Sequence, residues 1–216
     1  EGRPYPWTAR EVPQTVAGSR YVDWLIPGLV GLGIMSTGMW GIGFSIAQNR
    51  MRKVLKLLVA TPMRRRDYLG AQMLARLLFL GPEVGITVTF GVLVIGMPLR
   101  GSIATLVVVS VVGAIASASL GLLLASRART FEAVSGLMNM AMLPMWLLSG
   151  AFFSSTNFPT ALQPLIQALP LTALNDALRA VILQGDGLRA VQGELWILTA
   201  WAVVSFAVAL RIFRWR

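Results

Sequence analysis

Cysteine and histidine are both absent from these 216 residues. Their absence removes disulfides, catalytic Cys–His pairs, histidine proton switches and the usual zinc ligand sets. Lysine is nearly absent too: Lys53 and Lys56 are the whole supply, and neither follows a glycine. A P-loop of the form GxxxxGK followed by Ser or Thr therefore has no place in this sequence. Charge is scarce as well. Asp, Glu, Lys and Arg make up 13% of the chain, against roughly 25% in an ordinary globular domain.

What replaces charge is apolar surface. Hydrophobic residues reach 56% and the mean hydropathy is +0.68. These residues fall into long blocks, not periodic stripes, so the bilayer is the expected solvent. The net charge of +10 does not point to nucleic acid, which is recognised by a basic face on a water-soluble domain. Here the positive residues gather at the ends of apolar blocks, as membrane topology requires.

A membrane-crossing helix needs about 20 mainly apolar residues. Asp23 and Arg50 bracket a stretch without charge, and so do Arg100 and Arg127, which predicts spans over 24–48 and 103–125. The uncharged run between Glu132 and Asp176 is too long for one crossing and carries breaks at Ser149-Gly150, Pro159, Pro164 and Pro170. It reads as a span over 133–153 followed by short helices that return toward the surface. Two less regular blocks, 69–95 and 195–211, complete five spans. The fold class is an all-α polytopic helix bundle with an external re-entrant hairpin over 154–193. Twelve of the nineteen basic residues lie in the connections 49–68 and 126–132 and at the C-terminal end; six lie on the opposite side and Arg76 lies within a span. Residues 1–22 are accordingly expected outside and the C-terminus in the cytoplasm. A bundle that starts outside leads us to expect a first helix upstream of Glu1.

Four features could carry chemistry. In the connection 49–68, Met51, Val54, Leu55, Leu58 and Val59 recur at helical spacing among Arg52, Lys53 and Lys56, and Thr61-Pro62 ends the run. This is an amphipathic surface helix, either a topology signal lying on anionic lipid or a docking element for a cytoplasmic partner. Glu83 sits inside a span, where charge is costly and is structural or functional. Arg76 precedes it by seven residues on a similar face, but about 10 Å away along the axis, too far to pair, which leaves Arg76 to snorkel to the cytoplasmic surface. Gly113, Ser117 and Gly121 recur every fourth residue, a seam for close helix packing. Met138, Met140 and Met142 alternate at a spacing of two that puts them on different faces, so they read as packing residues and not as a soft-metal path.

Three stretches together resemble the ABC-2 type transporter permeases over almost the whole chain. They are KVLKLLVATPMRRRDYLGAQMLAR (Lys53–Arg76), MLPMWLLSGAFFSSTNFPTALQPLIQALPLTALNDALRAVILQG (Met142–Gly185) and ALRIFRWR (Ala209–Arg216). The second is the most specific, because its Ser-Gly break, Phe-Pro turn and Leu-Pro-Leu-Thr step look like the family's external re-entrant hairpin. The resemblance implies six helices per permease unit, of which this chain would hold the second to the sixth. It also implies a second permease copy, identical or closely related, and a cytoplasmic ATPase bound to each. The amphipathic stretch then looks like the coupling helix, with Lys53, Leu57, Leu58, Thr61 and Pro62 as the coupling element. Where many members carry acidic residues and a Gly-Thr step, this chain has Asn49-Arg50-Met51-Arg52-Lys53-Val54.

The expectation is a plasma-membrane permease of an ABC exporter, moving a hydrophobic or lipid-linked substrate or drug outward. It would bind no cofactor itself, with ATP and Mg on the partner subunit. Two alternatives stand beside it: a proton-coupled secondary transporter that uses Glu83, and a non-transporting membrane scaffold.

Overall fold

The structure, a computed structural model, describes residues 21–54, 65–128, 130–152 and 158–212, with Arg65 and Arg66 described in their backbone only. Five long helices are apolar enough to cross a membrane: α1 (Tyr21–Met51), α2 (Arg65–Leu93), α3 (Ile103–Ala125), α4 (Phe131–Leu148) and α7 (Gln192–Ile212). Two short helices, α5 (Gln163–Ala168) and α6 (Pro170–Arg179), stand between α4 and α7. Among the described residues there is no strand. The chain is an all-α polytopic bundle.

Local chemistry sets the helix ends. Ser102 caps α3 by accepting from the Ala104 amide at 3.2 Å, and Thr130 caps α4 by accepting from the Ala133 amide at 3.2 Å. Such caps satisfy amides that the first turn leaves without partners. Glu132 adds negative charge to the first turn of α4, where the helix dipole favours it. The fourth span stops at Leu148, short of the expected residue 153, because Gly150 turns the backbone into the left-handed region with φ 74°. At 31 and 29 residues, α1 and α2 are about 45 Å long. That exceeds a hydrocarbon core of about 30 Å, so both helices tilt or project from it.

Helix α3 is the centre of the bundle, packed against α1, α2, α4, α6 and α7. Its small residues allow this. A Cβ on Gly121 would lie 2.7 Å from the Met39 carbonyl oxygen, and one on Gly38 would run into Ser117. The α1 and α3 backbones therefore touch, which larger side chains would prevent. One turn further along, a Cβ on Gly113 would meet the Leu174 side chain of α6 at 2.5 Å. Pro170 at the start of α6 and the bend of 84° at Leu169 make α5 and α6 a sharply bent pair. The buried face of α6, with Leu171, Leu174 and Leu178 fully enclosed, inserts among α1, α3 and α7. The Trp201 indole of α7 donates to the Ala168 carbonyl at 2.8 Å and holds the pair in place. By contrast, the apolar windows of α2, α4 and α7 are only 22% buried. These helices face lipid or other chains.

The Gly121 contact is directly testable. Gly121→Ala should lower the stability of the purified protein in detergent by about 1–3 kcal/mol, the range for overpacking. Gly136→Ala, at a site where a Cβ meets nothing within 4 Å, should leave it unchanged or slightly raised. Both are read from thermal unfolding followed by circular dichroism.

Candidate functional site

Helices α1 and α2 meet along a polar seam. Two turns of α2 separate Arg76 from Glu83, a rise of about 10 Å, yet the Arg76 guanidinium lies 2.7 Å from Glu83 Oε2. The expectation that the two stand too far apart to pair is therefore corrected. Side chains on a helix lean toward its N-terminus, so Glu83 reaches back toward Arg76. The long Arg76 stem covers the rest. Nor does Arg76 snorkel to the surface: its residue is 7% exposed. Removing a charge from water is tolerable when its partner lies against it.

Thr37 of α1 completes the group. Its hydroxyl accepts from Arg76 at 2.6 Å and stands 2.8 Å from both Glu83 Oε1 and the Gly33 carbonyl, to one of which it donates. Arg76 also donates to the Ile34 carbonyl at 3.2 Å; the Ser117 hydroxyl of α3 stands 3.2 Å from the same carbonyl and 2.9 Å from the Ala114 carbonyl of its own helix, to one of which it donates. A buried cation, a half-buried carboxylate and three helices are thus tied at one point. Thr37, Arg76, Gln72 and Phe79 also border a recess of about 250 Å³.

The seam continues toward the end of the bundle that carries the 55–64 connection. Ser45 donates to the Gln72 amide oxygen at 3.2 Å, and Asn49 donates to the Tyr68 hydroxyl at 2.9 Å. At the last turn of α1, Arg50 donates to the carbonyls of Ala125, at 3.3 Å, Ser126, at 3.1 Å, and Ala128. A cation there satisfies acceptors that the end of α3 leaves open and complements its dipole. The connection with its amphipathic helix was expected to begin at residue 49. Instead α1 runs through Met51, and Lys53 takes the left-handed conformation, φ 60°, that closes a helix. Of the coupling element, Lys53 is described; Leu57, Leu58, Thr61 and Pro62 lie outside the described residues.

The opposite end of the bundle has its own knot. Arg179 of α6 donates to the Gly150 carbonyl at 2.7 Å and to the Trp24 carbonyl at 3.4 Å, and its guanidinium lies 3.8 Å from the Trp24 ring. Asp176 stands 3.7 Å away. This joins α1, the turn after α4 and α6. Of the methionines, Met138 and Met142 are buried in the core, while Met140 is 76% exposed. Sequence reasoning did not single out Thr37 or Arg179. A threonine in an uncharged span carries no signal, and Arg179 counted only as one of the basic residues that set orientation.

The ion pair predicts strong coupling. Arg76→Met and Glu83→Leu should each cost about 3–5 kcal/mol, because each strands the partner's charge. The double variant Arg76→Met/Glu83→Leu should recover most of that loss. Unfolding titrations of the four proteins in mixed micelles give the cycle, and simple additivity would show the two residues to be independent.

Comparison with known proteins agrees with this architecture. A family model described as ABC-2 type transporter matches residues 8–183. The inner membrane transport permease YhhJ of Escherichia coli (strain K12) is 26% identical over 121 residues, 56% of this chain and 32% of that protein. The "Probable multidrug ABC transporter permease YbhR" of the same strain is 24% identical over 217 residues, 99% of this chain and 59% of that protein. ABC transporter G family member 20 of Dictyostelium discoideum is 23% identical over 208 residues, 93% of this chain and 28% of that protein. The chain thus spans less than two thirds of each of these relatives. With a matching family model over most of its length and five helices long and apolar enough to cross a membrane, the chain belongs to the ABC-2 type transporter family and is a multi-pass membrane protein.

Proposed function

We propose that the chain is the permease subunit of an ATP-driven exporter in the plasma membrane. It would work with a second copy of itself or a close homologue and with a separate cytoplasmic ATPase. Its cargo would be a hydrophobic or lipid-linked molecule. One observation carries the reading: the base of the 55–64 connection is fixed to three helices at once. Arg50 holds the end of α3 and Asn49 holds Tyr68 of α2. A push on this connection would reach α1, α2 and α3 together, as a coupling element requires. Lys53 and Lys56, the only lysines, follow no glycine, so these 216 residues hold no P-loop, and the energy source would sit on the partner. The relative YbhR is named a probable multidrug ABC transporter permease, which supports a drug-like cargo. On this reading the 55–64 connection and the C-terminus face the cytoplasm.

The polar seam argues against the proton-coupled alternative. Glu83 is held by Arg76 and Thr37, and among the described residues no second carboxylate joins this group to pass a proton on.

Copurification tests the proposal. With a candidate ABC ATPase, the wild-type chain should form a stable complex, and Leu57→Asp/Leu58→Asp should lose it at least tenfold while the bundle stays folded. Undiminished binding would refute the coupling role. Transport in vesicles should stop on ATP depletion and survive collapse of the proton gradient; the reverse pattern would favour the secondary transporter.

A further inference from the structure

Among the described helices, α1, α2 and α4 each carry an internal proline. Two of the three are confined. Pro27 of α1 is buried, and a Cβ on the adjacent Gly28 would lie 2.9 Å from both the Ala151 carbonyl oxygen and the Arg179 guanidinium. Pro144 stands four residues before α4 ends. Pro82 differs: it is exposed in the interior of α2, beside Gly81 and close to Gly85, where a Cβ would meet nothing within 4 Å. Proline has no amide hydrogen, so the helical bond to the Leu78 carbonyl is missing, and the ring crowds that carbonyl. One turn later the Thr87 hydroxyl donates to the Glu83 carbonyl at 2.8 Å, a bond that favours helix bending.

The surroundings give the bend a direction. At about 100° per residue, Arg76 and Glu83 share one face of α2. Gly81, Val84, Gly85 and Val88 share another, about 140° round the helix, and border an open groove of about 400 Å³ against α3. The half of α2 before Pro82 is held to α1, where Asn49 donates to Tyr68, Ser45 to Gln72, and Arg76 to Thr37 and the Ile34 carbonyl. We propose that Pro82 is a hinge and the Arg76–Glu83 pair its latch. When the pair opens, the segment after Pro82 swings toward α3 and narrows the groove. The pair opposes this swing because it lies on the side that must lengthen. At a side-chain radius of about 5–6 Å, a bend of about 30° adds roughly 2 Å there. The guanidinium and Glu83 Oε2 are 2.7 Å apart, so the bend pulls them out of contact. Thr37 reinforces the latch from α1: its hydroxyl accepts from Arg76 at 2.6 Å and lies 2.8 Å from Glu83 Oε1. The device belongs to this chain whatever drives it, and does not rest on the exporter reading.

The chain has no cysteine, so introduced thiols report alone. Gly85→Cys/Val107→Cys puts one thiol on each wall of the groove. In the full chain, reconstituted in phosphatidylcholine vesicles, oxidation by copper phenanthroline should join them slowly. Adding Arg76→Met/Glu83→Leu opens the latch without stranding a charge and should speed joining about tenfold or more. Thr37→Val keeps the pair but removes its support and should speed joining about two- to tenfold, the value of one hydrogen bond. Adding Pro82→Ala returns the amide to the turn and should bring the unlatched rate to within about twofold of the latched one. Ser45→Cys/Gln72→Cys, in the half held to α1, should join at one rate in every background. Equal rates with and without the ion pair would overturn the latch. A fast rate that survives Pro82→Ala would overturn the hinge. A parallel change at Ser45→Cys/Gln72→Cys would show a loosened bundle and overturn both. Should the double variant not fold, Thr37→Val decides the latch by the same comparison.

Discussion

Everything in this bundle is arranged around the contact of two helix backbones. Where Gly121 meets Met39 and Gly38 meets Ser117, α1 and α3 approach as closely as two helices can. In a bilayer there is little hydrophobic gain in bringing helices together, so contact distance and interhelical hydrogen bonds carry the association. Once α1 and α3 are joined, their neighbours have defined positions. Gly113 makes room for Leu174, and α6 can enter from the hairpin side. Ser117 and Arg76 both stand 3.2 Å from the Ile34 carbonyl, so the ion pair of α2 is seated on the same axis. Enlarging the small residues would remove both the core and the support for the polar seam.

The polar groups of the bundle are not scattered. Arg76, Glu83 and Thr37 lie within the spans, Arg50 at one end and Arg179 at the other, and each cation is placed against carbonyl or carboxylate oxygens. The bilayer supplies no alternative partners, so each cation acts as a tie between chain segments distant in sequence. Arg50 bridges 75 to 78 residues of chain and Arg179 bridges 155 to Trp24. The mobile work proposed for a transporter would be transmitted through such ties and not through the soft lipid-facing surfaces of α4 and α7.

How far the sequence could be read depended on the range of the interaction. The charge-free windows after Asp23 and after Arg100 are local facts, and α1 and α3 follow from them. The spacing of Gly113, Ser117 and Gly121 shows that they share a face, but nothing local names Gly38, Met39 or Leu174 as the opposing surface. Distance along the helix axis gave the wrong answer for Arg76 and Glu83, because it ignores the direction in which side chains lean and the length of arginine. Arg179 was counted among the charges that orient the chain, although the fold brings it back against Trp24. That requires the 84° bend at Leu169, a tertiary event with no periodic signature.

Pro82 gives α2 a further property. It lacks an amide hydrogen, so the Leu78 carbonyl loses its helical donor, and Gly81 and Gly85 flank the gap with the two most pliable positions available. Arg76 lies before this weak turn and Glu83 lies on it, and their side chains bridge it from outside the backbone. The rod is therefore jointed, and its splint is ionic. One ion pair thus spans the turn at which the backbone of α2 has lost a hydrogen bond, and it joins the residues before Pro82 to those after it.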